Sequence, residues 1–162
     1  MGVSGFSARP VQGLPEVDEG FKLGAAIAEL AELTSGDVVV ISQKVVSKAE
    51  GRSVDLGSVS PGEEARELAG RLGKDPRLVE LILGEAESVV RTDEGRGILI
   101  TATRHGFICA NSGIDASNVQ GEDTVLLLPE DADASARRIR AEIEAAASVR
   151  PAVLVSDSFG RA

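Results

Sequence analysis

Three stretches of this chain gather side chains able to do chemistry. The first is Ser42-Gln43-Lys44-Val45-Val46-Ser47-Lys48-Ala49-Glu50-Gly51-Arg52, where two lysines, two hydroxyls and an amide leave an apolar run together. Cationic and hydrogen-bonding groups leaving a core strand suit a polyphosphate. If the segment stays extended, Lys44 and Lys48 point the same way about 13 Å apart; if it coils into a helix, they stand roughly 6 Å apart on one face. The same residues would serve equally as a solvated basic stretch. The second stretch is Ala110-Asn111-Ser112-Gly113-Ile114-Asp115-Ala116-Ser117-Asn118. Asp115 offers hard oxygen ligands, the Asn118 carbonyl offers another, and Gly113 permits a bend that aims them at one point, as a magnesium or manganese seat requires. An ordinary Asx/Ser turn uses these residue types too. The third is Asp157-Ser158, a carboxylate beside a hydroxyl, as found where strand ends hold the magnesium of a nucleotide. Jointly the three supply cations for phosphate and two carboxylates, Asp115 and Asp157, for a divalent metal. Those are parts of a phosphoryl-transfer site.

Other candidates carry less. No Gly-x-x-x-x-Gly-Lys-Ser/Thr loop and no Gly-x-Gly-x-x-Gly fingerprint occurs, so the familiar phosphate-loop and dinucleotide readings lack sequence support. His105, the single histidine, falls in a short turn, where a solvated or locally hydrogen-bonded ring is the plain expectation. Cys109 has no second cysteine, which makes it a buried structural thiol. Glu16 stands out only through the rigid Gly13-Leu14-Pro15-Glu16-Val17 turn around it.

The elements that must position these groups are readable in outline. Residues 21–33 carry a helical-period stripe of Leu23, Ile27, Leu30 and Ala31. Val38-Val39-Val40-Ile41 is a continuous β-branched run, which predicts a central strand covered on both faces. Ser60-Pro61-Gly62-Glu63 has the pattern of a capping box opening a helix to about residue 72. Asp75-Pro76 opens a second helix, whose largely apolar body runs over residues 78–90. Two short strands, 98–102 and 106–110, form a hairpin about Thr103-Arg104-His105. A loop of about a dozen residues follows, near the length at which loops tend to be functional. Residues 125–128 read as a buried strand, 132–147 as an amphipathic helix with Ala136, Ile139 and Ile143 inward, and 152–155 as a strand. On the outer face of that helix, Arg138 is spaced to pair with Glu142 and Arg140 with Glu144.

Composition narrows the class of function. At 162 residues the chain supports one domain, and 43% hydrophobic with 27% charged residues is ordinary for a folded protein. A net charge of −9 argues against capture of nucleic acid or an anionic membrane. No apolar run approaches the roughly 20 residues of a membrane span, and no secretory leader pattern opens the sequence. The lone cysteine fits a reducing cytoplasm. With four Phe and neither Tyr nor Trp, the composition argues against base-stacking platforms, and the core must be aliphatic.

Four segments in order, Gly13–Val17, Gln43–Arg52, Arg104–Val119 and Ser156–Arg161, resemble the coenzyme F-420 gamma-glutamyl ligase family, the long third block most specifically. The resemblance implies a mixed α+β fold of small β-sheets and packed helices rather than a Rossmann sheet, and a homodimer in the cytoplasm. It implies GTP-dependent addition of L-glutamate to coenzyme F-420-0 through an acyl phosphate, with manganese or magnesium and potassium. By the same resemblance, GTP contacts fall on Leu14, Pro15, Glu16, Val17, Ser42, Gln43, Lys48 and Asn118. Metal ligands fall on Asp115, Asp157 and Ser158, where a serine stands in place of the usual threonine. Family members continue past Gly160-Arg161, so residues 1–162 correspond to the N-terminal part of the ligase domain. Two other readings stay open: a non-catalytic nucleotide- or metal-binding unit, and a metal-dependent phosphotransferase acting on another small acid.

Overall fold

The structure, a computed structural model, describes residues 5–116 and 123–157. The described polypeptide runs without helix or strand to Lys22 and then forms helix α1 (Leu23–Leu30), strand β1 (Val38–Ser42) and helix α2 (Gln43–Ala49). Strand β2 (Ser53–Asp55) and a 3-10 turn lead to helices α3 (Glu63–Leu72) and α4 (Pro76–Glu85). Strands β3 (Ala86–Asp93), β4 (Ile98–Thr103) and β5 (Ile108–Ala110) follow, then a turn at Asn111–Gly113 and strand β6 (Thr124–Leu126). Helix α5 (Ala132–Ala147) and strand β7 (Ala152–Ser156) complete the described elements.

The strands form three small sheets. β1 pairs in parallel with β7, β2 antiparallel with β6, and β3, β4 and β5 make an antiparallel meander. The fold is therefore mixed α+β and not a doubly wound parallel sheet, as expected. Two aliphatic clusters hold it. One joins α3, α4 and β4 through Leu68, Leu72, Val79, Ile82 and Leu99 to Val125 of β6. The other packs Leu23 and Ile27 of α1 and Ile139 and Ile143 of α5 against Val39 and Ile41 of β1 and Val46 of α2.

Local chemistry explains most boundaries. Asp75 accepts from the Arg77 amide at 2.8 Å, and Pro76 occupies the first turn of α4, the expected start. Asp131 accepts from the Ala134 amide at 2.8 Å, and Ser148 ends α5 in a left-handed conformation. The β4–β5 hairpin turns where expected, with the Gly106 amide donating to the Thr103 carbonyl.

Tertiary contacts account for four departures. The predicted helix over 78–90 stops at Glu85, and Ala86–Asp93 becomes β3 because it pairs along β4 from Ala86 opposite Thr103 to Asp93 opposite Ile98, with register shifts on either side of the Ser88-Val89 pairing. The capping box at Ser60 does not form: α3 begins at Glu63, and the preceding Gly62 amide donates to Glu80 Oε2 of α4 at 2.8 Å. The α5 face pairs outward to other elements, Arg138 to Glu50 at 2.7 Å and Glu142 to the Gly24 amide at 2.8 Å, so Glu142 is engaged by α1 and not by Arg138. Strand β1 buries only Val39 and Ile41, while Val38 and Val40 face outward.

Candidate functional site

β1 passes into α2 without a connecting residue, since Ser42 ends the strand and Gln43 begins the helix. Val46 and Ser47 are fully buried and turn the helix's inner face to the core. Gln43 is buried as well, and its Nε2 donates to Ser47 Oγ at 2.6 Å and to the Leu127 carbonyl at 3.3 Å, tying α2 to the segment after β6. The helical spacing leaves Lys44 and Lys48 on a common face. Each reaches a carboxylate from another candidate segment. Lys44 Nζ lies 2.5 Å from Asp115 Oδ2, and Lys48 Nζ lies 2.5 Å from Glu16 Oε1. Partly exposed pairs of this kind contribute at most about 1 kcal/mol, so they do not hold the fold together.

Asp115 is fixed by its backbone. Its amide and carbonyl exchange hydrogen bonds with Leu126 at 3.0 and 2.9 Å, on the edge of β6 opposite the one that pairs with β2. The turn leading to it holds three successive residues at positive φ: Asn111 at 52°, Ser112 at 54° and Gly113 at 72°. A side chain at Gly113 would be strained at this φ, and its Cβ would also stand 2.9 Å from Leu128 Cδ1, which would have to shift. The strain at Ser112 is offset by its buried contacts: its amide donates to Thr101 Oγ1 at 3.0 Å, and its hydroxyl donates to the Ile82 carbonyl at 2.8 Å. Asn111 Oδ1 is buried with no hydrogen-bond partner among the described residues.

The third segment arrives through the parallel sheet. Ser156 of β7 is in register with Ser42 of β1, so Asp157 leaves the sheet at the same end from which α2 departs. Its charge is felt across the site. Burial pushes the Cys109 thiol up from its ordinary pKa, and the Asp157 carboxylate pushes it further.

The structure thus joins Glu16 to Lys48 and Asp115 to Lys44 through α2, and has Asp157 follow Ser156, the register partner of Ser42. The remaining expected contacts divide. Pro15 and Ser42 are exposed, Leu14 is half-buried, and Val17 is a core residue like Gln43. Asn118 and Ser158 lie outside the described residues. In the sequence Lys44 reads as a phosphate-binding cation, and its carboxylate partner Asp115 is hidden by its distance along the chain. It also passed over Asn111, whose only signal is its position before Ser-Gly in a turn.

Among the described residues no group of three or more His, Cys, Asp or Glu side chains is placed to hold a metal ion. The donors at hand nonetheless fit a hard cation, since magnesium is commonly held by one or two carboxylates with substrate phosphates and water completing its shell. Asp115 already accepts a positive charge, that of Lys44.

Comparison with known proteins bears on what such a site serves. The chain is 44% identical over 160 residues to the coenzyme F420:L-glutamate ligase of Methanopyrus kandleri, covering 99% of this chain and 62% of the relative. It is 42% identical to that of Methanothermobacter thermautotrophicus, covering 97% and 63%. Against the Methanocaldococcus jannaschii ligase it is 44% identical, covering 80% and 50%. The chain therefore spans between half and two thirds of the length of these curated relatives. The family model described as F420-0:Gamma-glutamyl ligase matches residues 13–162, which takes in all the segments assembled around α2, and the chain belongs to that family.

Proposed function

We propose that this chain works in the GTP-dependent addition of L-glutamate to coenzyme F-420-0. The supporting observation is that α2 carries two lysines on one face, each against a carboxylate from a separate family segment, Glu16 and Asp115. In this reading the F-420-0 carboxylate oxygen attacks the γ-phosphorus of GTP and GDP leaves. The glutamate amine then attacks the acyl carbon, and inorganic phosphate departs. Lys48 releases Glu16 to meet phosphate oxygens, alongside Leu14 to Val17, Ser42, Gln43 and Asn118. Asp115, Asp157 and Ser158 would hold manganese or magnesium, which supplies charge neutralisation on the phosphates when bound. Lys44 keeps Asp115 oriented until then. A potassium ion, a homodimer and a cytoplasmic setting belong to the same reading, as does the assignment of residues 1–162 to the N-terminal part of the ligase domain.

The test uses this chain extended with the part of the Methanopyrus kandleri relative outside the match. Phosphate release should require GTP, glutamate and F-420-0 together, and Asp115→Asn should abolish it. Ligation without GTP, or full activity in Asp115→Asn, sinks the proposal. The coverage of only 62% of that relative favours one second reading, nucleotide and metal binding without turnover by the 162 residues themselves. Calorimetry of the unextended chain with GTP and manganese, set beside a turnover assay, separates the two.

A further inference from the structure

The β1–β7 sheet is two parallel strands with apolar residues on both faces, and only one face is covered. Val39 and Ile41 point into the cluster with α1 and α5. On the other face the register sets Val38 beside Ala152 and Val40 beside Leu154. All four are exposed there: Val38 is 60%, Val40 62% and Leu154 49% accessible, and Ala152 is open as well. A groove of about 1050 Å³ runs along β1, rimmed by Val11 and Leu30. Parallel strands are as a rule buried on both faces, and a sheet of two strands is not stable by itself. An apolar face of this kind marks a surface that another polypeptide covers.

We infer that this face is the seat of the portion of the family's polypeptide that lies outside the match, amounting to 38% of the Methanopyrus kandleri relative, which packs on Val38, Val40, Ala152 and Leu154 as an outer layer. The match to that relative takes in 99% of this chain, so the same strand pair is present there and its covering layer must come from elsewhere in the assembly. A second copy laid face to face would cover the four side chains yet leave the outer edges of both strands unpaired. A further segment can satisfy face and edges together. The inference rests on family membership and on the sheet, and is independent of the GTP reading.

Thiol protection tests it. Val40→Cys is prepared in the 162-residue chain and in a hybrid that carries the unmatched portion of the Methanopyrus kandleri relative in its own chain order. Val89→Cys on the exposed face of β3 serves as the reference. The hybrid should slow maleimide labelling at position 40 by more than about tenfold and leave position 89 alike in both. Amide exchange over β1 in the unsubstituted proteins should show the same protection, which covers the case in which Val40→Cys fails to fold. Equal labelling at position 40 in a folded hybrid overturns the inference, and so does a hybrid that fails to fold as one cooperative unit. Protection already present in the unextended chain at dimer mass also overturns it, because a second copy would then be the occupant.

Discussion

Lys48 and Asp75 each sit in a hydrogen-bonded ion pair, and they differ in what the pair does. Lys48 pairs with the exposed Glu16, where solvent screens the interaction, so Lys48→Met should move the free energy of urea unfolding by no more than about 0.5 kcal/mol. The same substitution should remove GTP binding in calorimetry if α2 is the phosphate-facing element; a large loss of stability would instead make Lys48 structural. Asp75 caps α4 and is held below the usual carboxylate range, chiefly by its side-chain hydrogen bond with the Arg77 guanidinium. Its folded pKa is depressed, so its contribution is present above the ordinary carboxylate range and fades as pH falls through the lowered value. Asp75→Ala should cost about 1 kcal/mol near neutral pH by urea unfolding, and the deficit should vanish in strong acid. The cap was legible because Asp-Pro acts on its own neighbours. The Lys44–Asp115 pair was not, because it exists only once α2 and β6 have docked.

Elements follow the same division. Helix α5 has the predicted limits, since a local cap and a left-handed last residue set them. The β3 strand was hidden inside an apolar run that fits a helix as well as a strand, and only pairing with β4 decides between them. The contact between α1 and α5 was likewise invisible, and it turns on Gly24. A Cβ there would stand 2.3 Å from the Ile139 carbonyl oxygen and 2.5 Å from Glu142 Cβ. Gly24→Ala should therefore destabilise the protein by roughly 2 kcal/mol through forced separation of the helices, although alanine is the better helix former. A thermal melt at or above the parent's would show that the two helices are not packed this closely.

At the scale of the molecule, the candidate site lies on the seam between the two aliphatic clusters. Lys44 and Gln43 come from the α1–α5 side, and Asp115 and the Leu127 carbonyl come from the α3–α4 side. The α+β class and the order of the motif segments were legible from the sequence, whereas this seam is a product of long-range pairing. The parallel register that sets Ser42 against Ser156 also has a consequence in time. β1 is made early and has no strand partner until β7, the last described element, has been synthesised. The α3–α4 pair and the β3–β4–β5 meander close over short loops and need not wait. Pulse-labelled hydrogen exchange during refolding should therefore show β3 and β4 amides protected first and β1 amides last, and simultaneous protection would contradict it. Until then an apolar strand stands open in a partly folded chain, so the sheet that leads into Asp157 is also where this protein is most exposed to aggregation during its own synthesis.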